Sequence, residues 1–203
     1  LMEEFSAITL EVELSGTWTD IYADVIAGTL RVTGIGILDN TLVARVGDVG
    51  TCEFHLDNSA YNSGNTLGYY TPYGQNVRAG WGAGIAVRLT FHYDGYAVVK
   101  FIGKIDVDGI DVDTLQFRTR RVRVQASNWM ADAVKHSISL LSYQTNVRGD
   151  QAIQCILDNM NVQPPGIIME QGSITYPTMF DITRAETKAI GEFNKICISG
   201  LDY

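Results

Sequence analysis

IAVRLTFHYDGYAVVKFIGKI, residues 85–105, is the stretch that decides the fold class. Ile85, Val87, Leu89, Phe91 and Tyr93 alternate with Ala86, Arg88, Thr90 and His92. A period of two puts the first set on one face of a strand, for burial, and the second set on the other. Asp94-Gly95 follows at once, and an Asp-Gly pair accepts the left-handed backbone that a two-residue hairpin demands. Tyr96 to Ile105 is then the returning strand.

The same period extends outward in both directions. Upstream, Ile8, Leu10, Val12 and Leu14 alternate with Thr9, Glu11 and Glu13. Leu30–Ile37 is a second candidate strand, loosened by Gly34 and Gly36. Cys52, Phe54 and Leu56 alternate with Glu53 and His55. Downstream, Phe117–Ala126 completes the set, with Val122, Val124 and Ala126 on one face and Arg121, Arg123 and Gln125 on the other. Between Leu56 and Ile85 lies loop chemistry: Asn58, Asn62, Gly64, Asn65, Gly68, Tyr69, Tyr70, Pro72, Tyr73, Gly74 and Asn76. A loop that long is usually functional, disordered or an interaction element.

After residue 126 the period changes. Ser127 or Asn128 can cap a short helix bearing Trp129, Met130, Ala133 and Val134. A second helix is expected from about Val147 to Met160, with Ile153, Ile156, Leu157 and Met160 at helical spacing and Thr145 or Asn146 as its cap. Pro164-Pro165-Gly166 forbids helix, and Ser173–Tyr176 is a short extended piece. Thr183 and Glu186 match the capping-box pattern. They open a helix that carries Ala189, Ile190, Phe193, Ile196 and Cys197 on one face, and Gly200 sits at its end. The expected class is α+β: a β-rich domain over residues 1–126, then a smaller helix-containing domain over 127–203. The opening Leu1-Met2 and the closing Leu201-Asp202-Tyr203 suggest the N-terminal part of a longer protein.

Composition bounds the function. With 46% hydrophobic and 19% charged residues, the 203-residue chain is globular rather than disordered. Its net charge of −8 makes it a poor partner for DNA or anionic lipid. Leu1–Leu14 has no signal-peptide pattern, and no apolar run approaches the ~20 residues that span a bilayer. Cys52, Cys155 and Cys197 are odd in number and sit among apolar neighbours, so they read as reduced, core-like thiols.

No catalytic, cofactor or metal residue is singled out. The run DVDGIDVD, with Asp106, Asp108, Asp111 and Asp113, lacks the spacing of an EF-hand loop. Calcium ligation stays open beside the plainer reading, two strand ends flanking a turn at Gly109, whose acids resist unwanted pairing. Arg118, Arg120, Arg121 and Arg123 form the one basic cluster. Phosphate binding is open to it, but pairing with the aspartate run across a strand is simpler. His55, His92 and His136 read as ordinary residues. No nucleophile elbow, zincin, Walker or dinucleotide motif is present. The tyrosine loop, with Tyr69, Tyr70 and Tyr73 followed by Trp81, has three readings: a sugar-binding surface, a subunit interface, or a structured loop. These aromatics and the four arginines are the candidate interface residues.

Several stretches together resemble minor tail and tail-tip (baseplate) hub proteins of long-tailed bacteriophages. They are His55–Ser59 (HLDNS), Leu67–Pro72 (LGYYTP), Asn76–Trp81 (NVRAGW) and Gly84–Leu89 (GIAVRL). Val122–Met130 (VRVQASNWM) is similar to the family's strand leading into a helix, with Asn128 where Asp is usual and the capping role kept. Gln144–Ala152, Phe180-Asp181, Ala189-Ile190 and Ser199–Tyr203 continue the likeness. The resemblance implies a homo-oligomer, usually a trimer, whose β-rich domains share the tail-tube barrel or sandwich fold. Copies would form a ring continuing the hollow tube and joining it to distal tail subunits, the tip or its fibres. The implied location is the virion tail, with no cofactor and with DNA only passing through a lumen. A host receptor- or glycan-binding tail module is the alternative, and a cell-wall hydrolase, which would want two carboxylates across a cleft, a third.

Overall fold

The computed structural model describes residues 7–34, 36, 46–113, 120–138, 141–180 and 187–199. The chain divides into two compact units. The first comprises Leu1–Ile35 and Gly50–Asn128, the second Gly36–Val49 and Trp129–Tyr203. Residues 36–49, which the sequence reading left in the β-rich part, thus group with the second unit.

The first unit is built on a seven-stranded antiparallel sheet. Its strands are β1 (Ala7–Leu14), β2 (Thr17–Asp20), β3 (Arg31–Thr33), β4 (Thr51–Asp57), β5 (Ala86–Tyr93), β6 (Tyr96–Val112) and β7 (Arg121–Ser127). Their order across the sheet is β2-β1-β5-β6-β7-β4-β3. The alternation seen in sequence sets the buried face: Leu10 and Val12, Cys52, Phe54 and Leu56, Val87 and Leu89, and Val122, Val124 and Ala126 belong to one apolar cluster. The β5–β6 turn uses Asp94 and Gly95 at φ 42° and 78°, the left-handed pair the two-residue hairpin requires.

The sheet curls around this core. Ile21, just past β2, donates its N–H to the carbonyl of Leu10 in β1. After one 3-10 turn (Tyr22–Asp24), Val25 bridges to Leu56 in β4. Ile21 and Val25 are four residues apart and so at most about 14 Å. One short crossing segment therefore ties the β1 side of the sheet to the β4 side.

β6 departs from the expected pattern. The alternation predicts a strand ending at Ile105 and a turn at Gly109, but β6 is one 17-residue strand. Between Ile105↔Ala126 and Ile110↔Val124 it advances five residues while β7 advances two, so Asp106–Gly109 bulges out of an unbroken ladder. Gly109 permits this, because a Cβ there would lie 2.3 Å from the Gln125 carbonyl oxygen. Gly103 is held the same way, 2.3 Å from that of Ser127.

The second unit carries α1 (Met130–Lys135), β8 (Ser137–Ile138), β9 (Gln144–Arg148), α2 (Gly149–Asn159), β10 (Thr175–Met179), β11 (Thr187–Lys188) and α3 (Ala189–Ser199). Its two small sheets pair β9 with β10 and β8 with β11. Ala152, Ile156 and Leu157 of α2 and Ala189, Phe193 and Ile196 of α3 meet in a separate core. The N-caps differ from expectation. Trp129, not Ser127 or Asn128, precedes α1. Arg148 precedes α2, its N–H bound by the Gln151 side chain at 3.0 Å. Val147 belongs to β9, where it pairs with Tyr176, so the helix starts two residues late. Thr183, Glu186 and Gly200 lie outside the described residues.

Candidate functional site

The 58–84 loop is built around a buried carboxylate. Asp24, 6% exposed, accepts hydrogen bonds from the Ser63 N–H at 2.7 Å and the Ser63 hydroxyl at 2.5 Å. The Tyr70 hydroxyl donates to it as well. Arg78 in turn donates to that hydroxyl at 3.0 Å. Burial and the Asp24 carboxylate both push the Tyr70 phenol well above its usual range, so it is a donor throughout ordinary pH. Trp81 packs edge-on against Tyr70 with centroids 5.0 Å apart and donates its indole N–H to the Tyr70 carbonyl at 3.0 Å.

Asparagines do the rest. Buried Asn58 accepts the Tyr70 N–H at 2.8 Å and donates to the Thr71 hydroxyl at 2.8 Å. Buried Asn62 donates to the Ser59 and Thr66 carbonyls at 2.7 and 2.9 Å. Short polar side chains that bind nearby backbone are what let a segment without helix or strand stay ordered.

This separates the candidate aromatics. Tyr70 and Trp81, offered as interface residues, are core residues at 0% and 7% exposure. Their loop composition disguised burial that a partner 46 residues upstream determines. Tyr69 is half-buried, its ring against Gly64 and under the Arg78 guanidinium at 5.3 Å. Tyr73 is fully exposed at φ 61°, in a turn closed by Gly74 N–H to the Thr71 carbonyl at 3.2 Å. Tyr61, which the sequence reading passed over, is 92% exposed. In composition it looks like any other loop tyrosine.

On the solvated face of β4 and β7, Arg123 grips Glu53 with two hydrogen bonds of 2.9 Å, which hold the Glu53 carboxyl below its usual range. Arg121 pairs with Asp113 at 3.4 Å. One expected arginine–aspartate pair is therefore present, while Arg123 prefers a glutamate from the neighbouring strand. His55 lies opposite Arg123, and its Nδ1 has no hydrogen-bond partner among the described residues. Burial, then Arg121, pulls its pKa down, so the ring is neutral. The Arg120 side chain is exposed while its carbonyl accepts the Asn58 N–H at 2.8 Å. Arg118 lies outside the described residues. His92 shares a hydrogen bond with the Thr9 hydroxyl at 3.1 Å.

The acidic bulge is anchored by the Ser127 hydroxyl, 2.9 Å from Asp106. Among the described residues no three His, Cys, Asp or Glu side chains gather as metal ligands. All three cysteines are free; Cys52 is buried, and burial pushes its thiol up to about 12.

The first half of β6 carries the feature that sequence reading missed. β5 covers one of its edges from Tyr96 to Lys104. Among the described residues the other is covered by β7, and from Lys104 onward only. Along the uncovered stretch Tyr96, Val98, Val99 and Ile102 are 72, 43, 52 and 37% exposed. The signal was available: Tyr-Ala-Val-Val-Lys-Phe-Ile puts apolar residues on both faces of a strand, where a one-sided sheet needs them on one. No helix among the described residues is long and apolar enough to cross a membrane. No protein-family model matches the chain, and no curated protein matches it in sequence.

Proposed function

We propose that the chain is a non-enzymatic structural subunit of a large assembly, the tail-tip or baseplate hub of a long-tailed bacteriophage. Copies of it would form a ring, of trimeric symmetry in the family it resembles, between the tail tube and the distal tip or fibres. The observation that carries this reading is the apolar, uncovered edge of β6. An exposed strand edge with exposed apolar side chains is a surface made to be covered by another chain. The curled antiparallel sheet suits a tail-tube-like barrel or sandwich, and a net charge of −8 would keep passing DNA from adhering to a lumen.

The test is the state of the purified chain. Sedimentation over a concentration series should show a closed oligomer, electron micrographs should show rings, and the chain should co-sediment with virion tails. A chain that stays monomeric at high concentration and never joins tails overturns the reading.

A second reading rests on Tyr61 and Tyr73. Two nearly fully exposed tyrosines on a rigid loop offer flat faces of the kind sugar rings pack against. Under it the chain is a host-glycan-binding tail module. Retention of a surface glycan that is lost in Tyr73→Ala, with the oligomer unchanged, would favour this module over the hub.

A further inference from the structure

We infer that the uncovered edge of β6, Tyr96–Gly103, adds itself as a strand to the free edge of β2 in a second copy of this chain. The inference rests on the assembly reading above and names its contact. Among the described residues β6 has unpaired backbone on one side over this stretch, since β7 does not reach it. Strand addition draws affinity from such main-chain groups and specificity from the side chains between them.

Charge selects the partner edge. Lys100 is exposed within the β6 stretch, and Lys104 is exposed just past its end, where β7 begins. Lysines on an edge normally repel a second strand, so the pairing must bring acids to meet them. Among the described residues three edges of the large sheet compete, and the strands of the two small sheets, β8 to β11, carry no Asp or Glu. A β6 edge on a copy of itself sets lysines against lysines. The β3 edge presents Arg31, again of like sign. The β2 edge, Thr17–Asp20, has no strand on its outer side among the described residues. It presents exposed Asp20, with Glu13 directly opposite Trp18 on β1. Glu11 beside them is already held by Arg88 at 2.8 Å; Asp20, one of whose oxygens accepts the Tyr22 N–H at 2.9 Å, keeps its charge and with Glu13 receives the lysines. The same charges that block two wrong pairings favour the third. Because β6 and β2 are different surfaces, the contact is head-to-tail, and a head-to-tail contact that closes gives a ring.

A charge-swap experiment on the full chain decides it. Lys100→Glu/Lys104→Glu should weaken association by about tenfold or more in sedimentation velocity, since like charges then face each other. At a dilution where both are monomeric, its thermal midpoint should match wild type. Glu13→Lys/Asp20→Lys should show the same defect alone. In a mixture both cross contacts are complementary, acidic β6 on basic β2 and basic β6 on acidic β2, so the variants should alternate in assemblies that neither forms by itself. If the lysine reversal leaves assembly intact, or the mixture stays dissociated, the β6–β2 contact is overturned while the hub reading stands. If wild type itself never associates, the hub reading falls and this contact with it.

Discussion

Between Asn58 and Gly84 the first unit has neither helix nor strand, yet its inward-facing polar groups find partners in Asp24, Asn58, Asn62 and Tyr70. Between Tyr96 and Gly103 it has a strand, bulged once at Lys100, yet among the described residues that strand lacks a neighbour on one side and leaves apolar side chains in water. The irregular segment is complete and the strand is not. Regularity of backbone and satisfaction of surface are therefore separate properties. A subunit can place rigidity in a loop and its unmet contacts in a sheet.

The widest gap between the two regions should appear on truncating one tyrosine in each. Tyr70→Ala removes a fully buried ring and one of the three donors to Asp24, a loss of about 3–5 kcal/mol, as for large-to-small core changes. Tyr96→Ala, at a side chain 72% exposed, should stay within about 0.5 kcal/mol in the isolated chain. Urea denaturation of both variants measures the difference. Equal losses would mean that the loop is not the tied-down region.

A change of one methyl group tests where the uncovered stretch of β6 is anchored. Gly103→Ala drives a Cβ into the Ser127 carbonyl, and backbone must shift to admit it. The expected cost is about 1–3 kcal/mol, typical of overpacking. Gly95→Ala, at φ 78° with open space around it, strains the turn without a clash. It should cost about 1 kcal/mol.

Alkaline titration sharpens the loop side. The Tyr70 phenol is raised in the fold, so its neutral form is the stabilising one. That contribution is whole below the unfolded value of about 10 and is lost as pH climbs from there toward the folded value. Cys52, pushed up to about 12, acts in the same direction from its unfolded value of about 8.5 upward. Wild-type stability should fall steeply above about pH 10, and Tyr70→Phe should flatten the slope by up to ~1.4 kcal/mol per pH unit, leaving the Cys52 share. At neutral pH Tyr70→Phe should cost about 1–3 kcal/mol, because Asp24 and Arg78 both lose a partner. An unchanged alkaline slope would place the titrating group elsewhere.

How much of this was legible depended on the range of the cause. β1, β4, β5 and β7 and the Asp94-Gly95 turn were readable, because alternation and turn chemistry act over a few residues. The continuity of β6 was not. Asp106–Gly109 reads as a turn, and only the approach of the Gln125 backbone shows why a strand bulges there instead. The start of α2 was hidden for a similar reason, since Val147 is claimed by Tyr176 across a two-stranded sheet. Within the tyrosine loop, Tyr70 and Tyr73 share a neighbourhood in sequence and have opposite fates. Asp24, a single acid far upstream, decides between them.

Tyr73 gives a small expected effect and the one with the opposite sign. Thr71-Pro72-Tyr73-Gly74 is a turn with proline at its second position and left-handed backbone at its third, where glycine is the ordinary occupant. Tyrosine there carries strain and, being fully exposed, gains no burial in return within this chain. Tyr73→Gly should therefore stabilise the isolated protein by about 0.5–1 kcal/mol, while Tyr73→Ala should not, because alanine keeps the Cβ that the backbone resists. Equilibrium denaturation of the pair separates strain from side-chain loss. If glycine destabilises instead, the ring has a role in the monomer that its exposure hides. If glycine stabilises the monomer yet weakens binding to a partner or a glycan, the strain is being kept for that contact. The loop, otherwise complete, would then share with β6 the habit of leaving one surface for something else to cover.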